Sequence, residues 1–536
     1  MTPTRRHDPD AMQGHVALLL HAHLPFVRHP EHERFLEESW LYEAISETYL
    51  PLLAVARGWR RDGIPARITL TLSPTLCAML QDDLLRYRYQ RHLDTLLDLA
   101  TRETYRTQWE PGFRDLASFY RQRFEDLQSL WQVCGGDLVG AFRELQDAGI
   151  LEIATTAATH GLLPLFAAHP SSIRGQILTA RDDYRRCFGR DPAGIWLPEC
   201  AYMRGLDGFL HEAGLRWFVV DTHGLLNATP RPRHGVFAPV ITPAGLAAFG
   251  RDLESAKQVW SRHAGYPGDP RYRDFYRDIG FDLEFDYVRP ALPSPDLRGF
   301  TGIKYRRIGT DARGEKGVYH PADGRHAADD HAHHFLQSRI AQARKLAGIL
   351  GRPPIVLCPY DAELFGHWWY EGPEFLDLFV RKASCDQHSF QLSTPSQYLH
   401  EQPVQQVAAP AESSWGEEGY YRVWLNETNE WILPHLDVAM ERMHQIARRF
   451  PEPTDLERRT LNQAARELLL AQSSDWPFIM RTGTSPAYAR QRVTDHLLHF
   501  IDLHEQLTAT RIDEQRLAML EAGNPVFPHV DFRRWS

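Results

Sequence analysis

Gly194-Ile195-Trp196-Leu197-Pro198-Glu199-Cys200-Ala201-Tyr202 is an apolar strand that runs into a proline and then presents a single acid. A carboxylate between Trp and Cys is costly to desolvate unless something must be held there. The mouth of a barrel or an open α/β sheet is where strand ends hold such groups. A second stretch has the same form: Ile355-Val356-Leu357-Cys358-Pro359-Tyr360-Asp361-Ala362-Glu363-Leu364-Phe365-Gly366-His367-Trp368-Trp369-Tyr370. An apolar strand and a Cys-Pro step deliver Asp361 into an aromatic-rich loop. Two strand-end acids among aromatics are what glycoside chemistry requires.

Working outward, short apolar runs predict strands over residues 16–20, 67–72, 152–160, 194–197, 217–221, 246–249, 355–358 and 390–392. Helical periodicity lies between most of them, at 38–59, 171–187, 206–213 and 332–350. Strand-helix alternation with short buried strands means a parallel sheet. Seven or eight strands suggest closure into a barrel, and the pattern leaves the number and an open sheet undecided. Residues 75–146 are helical and charged, an insertion in the sheet pattern. Residues 1–13 are polar and read as a loose terminus. Residues 401–412, rich in Gln, Pro and Ala, read as a linker. Beyond them, 461–471 and 493–507 are clear helices.

The chain has 536 residues, of which 43% are hydrophobic and 24% charged, ample for a large core. A net charge of -9 advertises no basic face for nucleic acid. No apolar run approaches a membrane span, and none at the N-terminus has the length of a signal peptide. The six cysteines are scattered without a C-x-x-C pair and read as reduced thiols. The expected compartment is the cytoplasm.

His21-Ala22-His23 ends the first strand and puts two imidazoles on one face. The reading is open between a metal pair, which needs further ligands, and two hydrogen-bonding groups in a sugar site. His160 sits at another strand end and is open between a structural and a functional role. Four histidines at 326, 331, 333 and 334 are read as a solvated loop leading into a helix. Trp368, Trp369, Trp415 and Trp424 offer faces for sugar rings or for the core. Glu199 and Asp361 suit a retaining pair, one nucleophile and one acid, which must stand about 5 Å apart. Glu363, two residues on, competes with Asp361 for that place.

Five stretches, in order, resemble the marker regions of glycoside hydrolase family 57 and of its 1,4-α-glucan branching members. They are His21-Ala22-His23-Leu24-Pro25, Thr159-His160-Gly161-Leu162-Leu163-Pro164, Trp196-Leu197-Pro198-Glu199-Cys200, Tyr360 to Trp369, and Ser413-Ser414-Trp415-Gly416. The resemblance implies an α/β fold: an incomplete (β/α)7 barrel over residues 14–400 with a helical insertion at about 75–150, then a C-terminal helical domain over 410–531 that completes the cleft. It puts the nucleophile on Glu199 and the acid/base on Asp361 rather than Glu363. His21, His23 and His160 become substrate-binding groups, together with Trp40, Phe281, Trp369, Trp415, Trp424 and Asp475. No metal or other cofactor is implied. The implied substrate is an α-glucan such as amylose or glycogen, with no nucleic-acid or membrane partner. The implied reaction cleaves an α-1,4 linkage through a covalent glucosyl-enzyme and transfers the chain to a 6-hydroxyl. The alternative on the same scaffold is an α-amylase or 4-α-glucanotransferase, with water or a 4-hydroxyl as acceptor. One departure favours that alternative. Branching members carry a mobile loop with a functional Tyr, and residues 221–239 here contain none; His234 and Phe237 are the nearest candidates. Phe281 also stands where relatives often have Trp.

Overall fold

The computed structural model describes residues 13–261, 265–310 and 314–536. The reading of the first 13 residues therefore falls, Gln13 apart, outside the described residues. Twelve strands occur among them: β1 (Gly14–Ala22), β2 (Ile68–Leu72), β3 (Leu151–Ala154), β4 (Gly194–Ile195), β5 (Trp217–Val220), β6 (Val240–Ile241), β7 (Ala247–Gly250), β8 (Arg306–Thr310), β9 (Lys316–Val318), β10 (Ile355–Asp361), β11 (Phe390–Leu392) and β12 (Gln406–Val407).

One sheet runs β10-β1-β2-β3 with every pairing parallel, and β11 pairs with the first residues of β1. The second runs β12-β6-β7-β5-β4; only the β6–β7 pairing is antiparallel. The two sheets meet where Thr155 N–H donates to Gly194 O (3.2 Å) and Trp196 N–H to Thr155 O (2.8 Å). At the opposite side Asp252 N–H donates to Leu357 O (3.0 Å), linking the end of β7 to β10. Seven parallel strands thus follow one another laterally: β1, β2, β3, β4, β5, β7 and β10. All nine residues of β1 are buried, as expected for a strand covered on both faces. The carboxyl ends of these parallel strands lie on one side, and the candidate residues His21, Glu199 and Asp361 stand at or just beyond three of them.

The helical insertion is observed as Pro74–Gln81, Asp83–Arg106, Pro111–Val133 and Leu138–Asp147. Asp82 starts the longest of these by accepting from Leu85 N–H (3.0 Å). The C-terminal region is also helical, as Ile432–Arg449, Asp455–Ala471, Asp475–Thr482, Pro486–Thr508 and Glu514–Gly523. Thr454 and Glu457 form a capping box at the start of the second. No helix among the described residues is long and apolar enough to cross a membrane.

Three readings are corrected. The histidine tract at 326–334 is no loop but part of the helix Pro321–Leu350. Its Ala327, Ala328, Ala332 and Phe335 are buried, so an apolar stripe runs through the polar stretch, and His331 and His334 hydrogen-bond Tyr272 and Tyr266. The expected linker at 401–412 is tied to the sheet through β12 and by reciprocal bonds between Thr229 and Ala409. The third strand stops at Ala154, because the chain must turn to reach His160, whose φ is +57°.

Candidate active site

Pro198 ends the extended run after β4, and the next two residues take left-handed conformations, Glu199 at φ 60° and Cys200 at φ 50°. Non-glycine residues rarely adopt this region, and the cost is about 1–3 kcal/mol each. The turn directs Glu199 into a cleft of about 640 Å³. Trp415 Nε1–H donates to Glu199 Oε2 (2.8 Å), and Ser474 Oγ–H donates to Oε1 (3.0 Å). Burial pushes the Glu199 carboxyl up to about 7; the Trp415 bond opposes this, and nearby Asp475 adds to it.

Asp361 ends β10, in register with His21 on β1. Burial, then the negative charges of Glu363 and Glu199, hold its carboxyl well above the usual carboxylate range. The competing Glu363 lines the same cleft but is already engaged. It accepts from Tyr49 Oη–H (2.5 Å) and from His23 N–H (3.2 Å). Among the described residues no hydrogen bond occupies the Asp361 carboxyl. One carboxyl held by two donors and another kept protonated beside it are the two environments that acid–nucleophile chemistry separates.

The three imidazoles come together. His21 Nε2 and His160 Nε2 are 3.0 Å apart, and His160 Nδ1 lies 2.9 Å from Ser474 Oγ. His23 stacks on His160 at 4.0 Å and contacts Asp475 (3.0 Å) and Ser73 (2.9 Å). Burial, then the neighbouring His23, keeps His21 neutral, and the same two causes act on His160 with His21 added. Two neutral imidazoles can share one proton across the 3.0 Å contact. Burial also works against charge on His23, but Asp475 overcomes it and raises its pKa.

Trp415, Trp424, Asp475 and the three histidines line the cleft with Glu199 and Asp361. Three other expected substrate contacts do not. Trp369 is 2% exposed and packs among Tyr272, Phe375 and Phe365 in the core. In the loop 361–370 it is the neighbouring Trp368, 56% exposed, that faces the cleft. Trp40 packs edge-on against Tyr488 at 6.0 Å, and Phe281 against Phe300 at 5.3 Å, both outside the lining. The sequence reading missed Ser474, Trp260 and Arg251. Ser474 was next to Asp475 and had a signal in its polar-aromatic setting. Arg251 had none: it follows β7 outside every motif that marked the site. In the C-terminal region Glu467, His496 and His499 form a metal-type cluster. Gln463, Asn524 and the two imidazoles saturate both oxygens of Glu467 with hydrogen bonds.

Residues 17–410 match the family model described as glycosyl hydrolase family 57. The chain belongs to glycosyl hydrolase family 57. Residues 435–535 match a second model, described as the C-terminal region of 1,4-alpha-glucan branching enzyme. A 1,4-alpha-glucan branching enzyme of Thermococcus kodakarensis is 33% identical over 97% of this chain and 78% of its own length. Among solved structures, the alpha-amylase AmyC of Thermotoga maritima is 42% identical, with a TM-score of 0.91 over 98% of this chain and 99% of its own. The branching enzyme of Pyrococcus horikoshii is 31% identical, with a TM-score of 0.88 over 98% of this chain and 97% of its own.

Proposed function

We propose that the protein is a retaining α-glucan transferase that makes α-1,6 branches. The observation that carries the reading is the unlike pair in one cleft: Glu199 held by Trp415 and Ser474, and Asp361 held protonated by burial and by its acidic neighbours. In the first step Asp361 protonates the glycosidic oxygen while Glu199 attacks C1, forming a covalent glycosyl-enzyme. In the second, Asp361 takes the proton of an acceptor hydroxyl as that oxygen displaces Glu199. His21, His23, His160 and Asp475 are assigned to sugar hydroxyls, and Trp415 and Trp424 to sugar faces. A catalytic unit over residues 14–400 and a helical unit over 410–531 belong to the same proposal; the matched models divide the chain similarly. Similarity to branching enzymes, in sequence and in structure, supports transfer to a 6-hydroxyl.

The second reading, an α-amylase, is favoured by the 42% identity to AmyC and by the loop at 221–239, which carries no Tyr. The two differ only in the acceptor and in how well water is excluded. Incubation with amylose, then debranching of the product with a parallel reducing-end assay, separates them. Many new branches with few new reducing ends support the transferase. Reducing ends without branches replace it with the amylase.

A further inference from the structure

Arg251 follows β7 on the rim of the same cleft and belongs to no motif that identified the site. Its backbone is fixed on both sides, its N–H donating to Val220 O (3.2 Å) and its O accepting from Thr222 Oγ1–H (2.8 Å). The guanidinium is poorly partnered. Among the described residues its nearest carboxylate is Asp221, 3.8 Å from Nη1 and beyond hydrogen-bond reach. Among the described residues its buried Nε has no hydrogen-bond partner, nor has Asp221 Oδ1. The charged plane lies 5.9 Å from the centre of the Trp415 ring, whose N–H holds Glu199. A permanently charged cation with an unused buried donor, in the cleft that holds Glu199 and Asp361, is a costly thing to bury without a task.

We propose that Arg251 is a positioning residue for the second half-reaction, holding Asp361 as an anion once Glu199 has been esterified. This rests on the retaining two-carboxylate reading above. Arg251 and Asp361 line the same cleft; in the free protein the negative charge of Glu363 and of Glu199 favours the proton on Asp361, and Arg251 opposes it. His21, its partner in register, is neutral. Formation of the glycosyl ester removes the charge of Glu199 but leaves Arg251, so the balance turns toward ionised Asp361. The acceptor O–H then attacks C1. The new C1–O bond forms, the C1–Oε bond to Glu199 breaks with its electron pair returning to the carboxylate, and the acceptor proton passes to Asp361.

The test uses α-maltotriosyl fluoride, whose leaving group needs little protonation, with Arg251→Met, Arg251→Lys and Asp361→Ala compared in the full-length protein. Azide is the probe nucleophile because it attacks without a base. The expected result for Arg251→Met is a turnover loss of about tenfold or more, accumulation of glycosyl-enzyme by intact mass, and recovery of most of the rate with azide. Arg251→Lys retains most activity, which separates a charge effect from a packing effect. If Arg251→Met shows neither accumulation nor azide recovery while Asp361→Ala shows both, the proposal is overturned. If Arg251→Met changes KM alone, Arg251 is a substrate contact and the proposal is equally overturned. Failure of Asp361→Ala to show either response would instead bring down the two-carboxylate reading beneath it.

Discussion

Trp415→Phe keeps a ring against Trp196, 5.0 Å away, and Trp260, 5.9 Å away, but removes the indole N–H that donates to Glu199. A hydrogen bond to a charged group is worth about 1.5–3 kcal/mol. Glu199 must be ionised to attack, so the loss falls on its charged form. At about 1.4 kcal/mol per pKa unit, the Glu199 carboxyl, already pushed up to about 7, rises by roughly one to two units more. The sign follows: the bond favours the anion, and its removal favours the proton. The acidic limb of kcat/KM on amylose moves alkaline by roughly one to two pH units. Below the limb the variant is about ten- to a hundredfold slower, and well above it the deficit shrinks. The assay is initial rate against pH at low substrate, with circular dichroism checking the fold. An unmoved limb, or a loss equal at every pH, would refute the assignment of Glu199 as the group whose ionisation Trp415 controls.

Asp475→Asn has the opposite sign. It removes a negative charge that raises the Glu199 pKa, so the acidic limb moves to lower pH in the same assay. Glu199→Gln and Asp361→Asn each abolish turnover with the fold retained; activity surviving in either variant, measured on amylose, discards the pair. Trp369→Leu lowers the urea midpoint by an amount corresponding to about 2–5 kcal/mol and leaves KM unchanged, whereas Trp368→Ala raises KM and leaves the midpoint within about 0.5 kcal/mol. Exhaustive chelation leaves the rate on amylose unchanged, since the cleft imidazoles are already engaged with one another, Ser73, Ser474 and Asp475; a clear loss restored by Zn²⁺ would reopen the metal reading of His21 and His23.

The two strand-end acids were legible because burying a carboxylate after an apolar strand has few other causes. β1 and β10 were legible for the same reason, as unbroken apolar runs. The choice between Asp361 and Glu363 was not legible in the residues themselves and came only from the family resemblance. It depends on Tyr49 Oη and His23 N–H, which reach Glu363 from positions 314 and 340 residues away in sequence. Trp368 and Trp369 are adjacent and alike in sequence, and only packing decides which faces the cleft. The histidine tract misled because its charge density hid alanines at helical spacing. Arg251 was invisible because a charged residue just after a short strand is ordinarily solvated.

What the C-terminal half supplies is more than a wall of the cleft. Of six non-glycine residues with positive φ among those described, three are at the site: His160, Glu199 and Cys200. Two of those strained peptides are clamped from later in the chain, Glu199 O by Trp415 N–H (3.0 Å) and His160 O by Ser474 N–H (3.1 Å). The same two residues use their side chains on the Glu199 carboxyl. Each therefore holds a backbone kink and a carboxylate oxygen at once, so the conformation that aims Glu199 and the bonds that favour its anion form together or not at all. Strain of about 1–3 kcal/mol per residue is sustained only where the surroundings over-determine it, and here they do so twice. Ser474→Ala removes the side-chain bonds to Glu199 and to His160 Nδ1 and leaves the backbone clamp on His160 O, whereas Ser474→Pro removes the donor of that clamp as well. The first variant is expected to shift the acidic limb alkaline with His160 still in place. The second is expected to lose activity at every pH and to loosen the turn at His160, read as faster amide exchange at His160, whose N–H bonds Ala157 O. Equal behaviour of the two would mean that the backbone clamp on His160 contributes nothing and that its turn holds unaided.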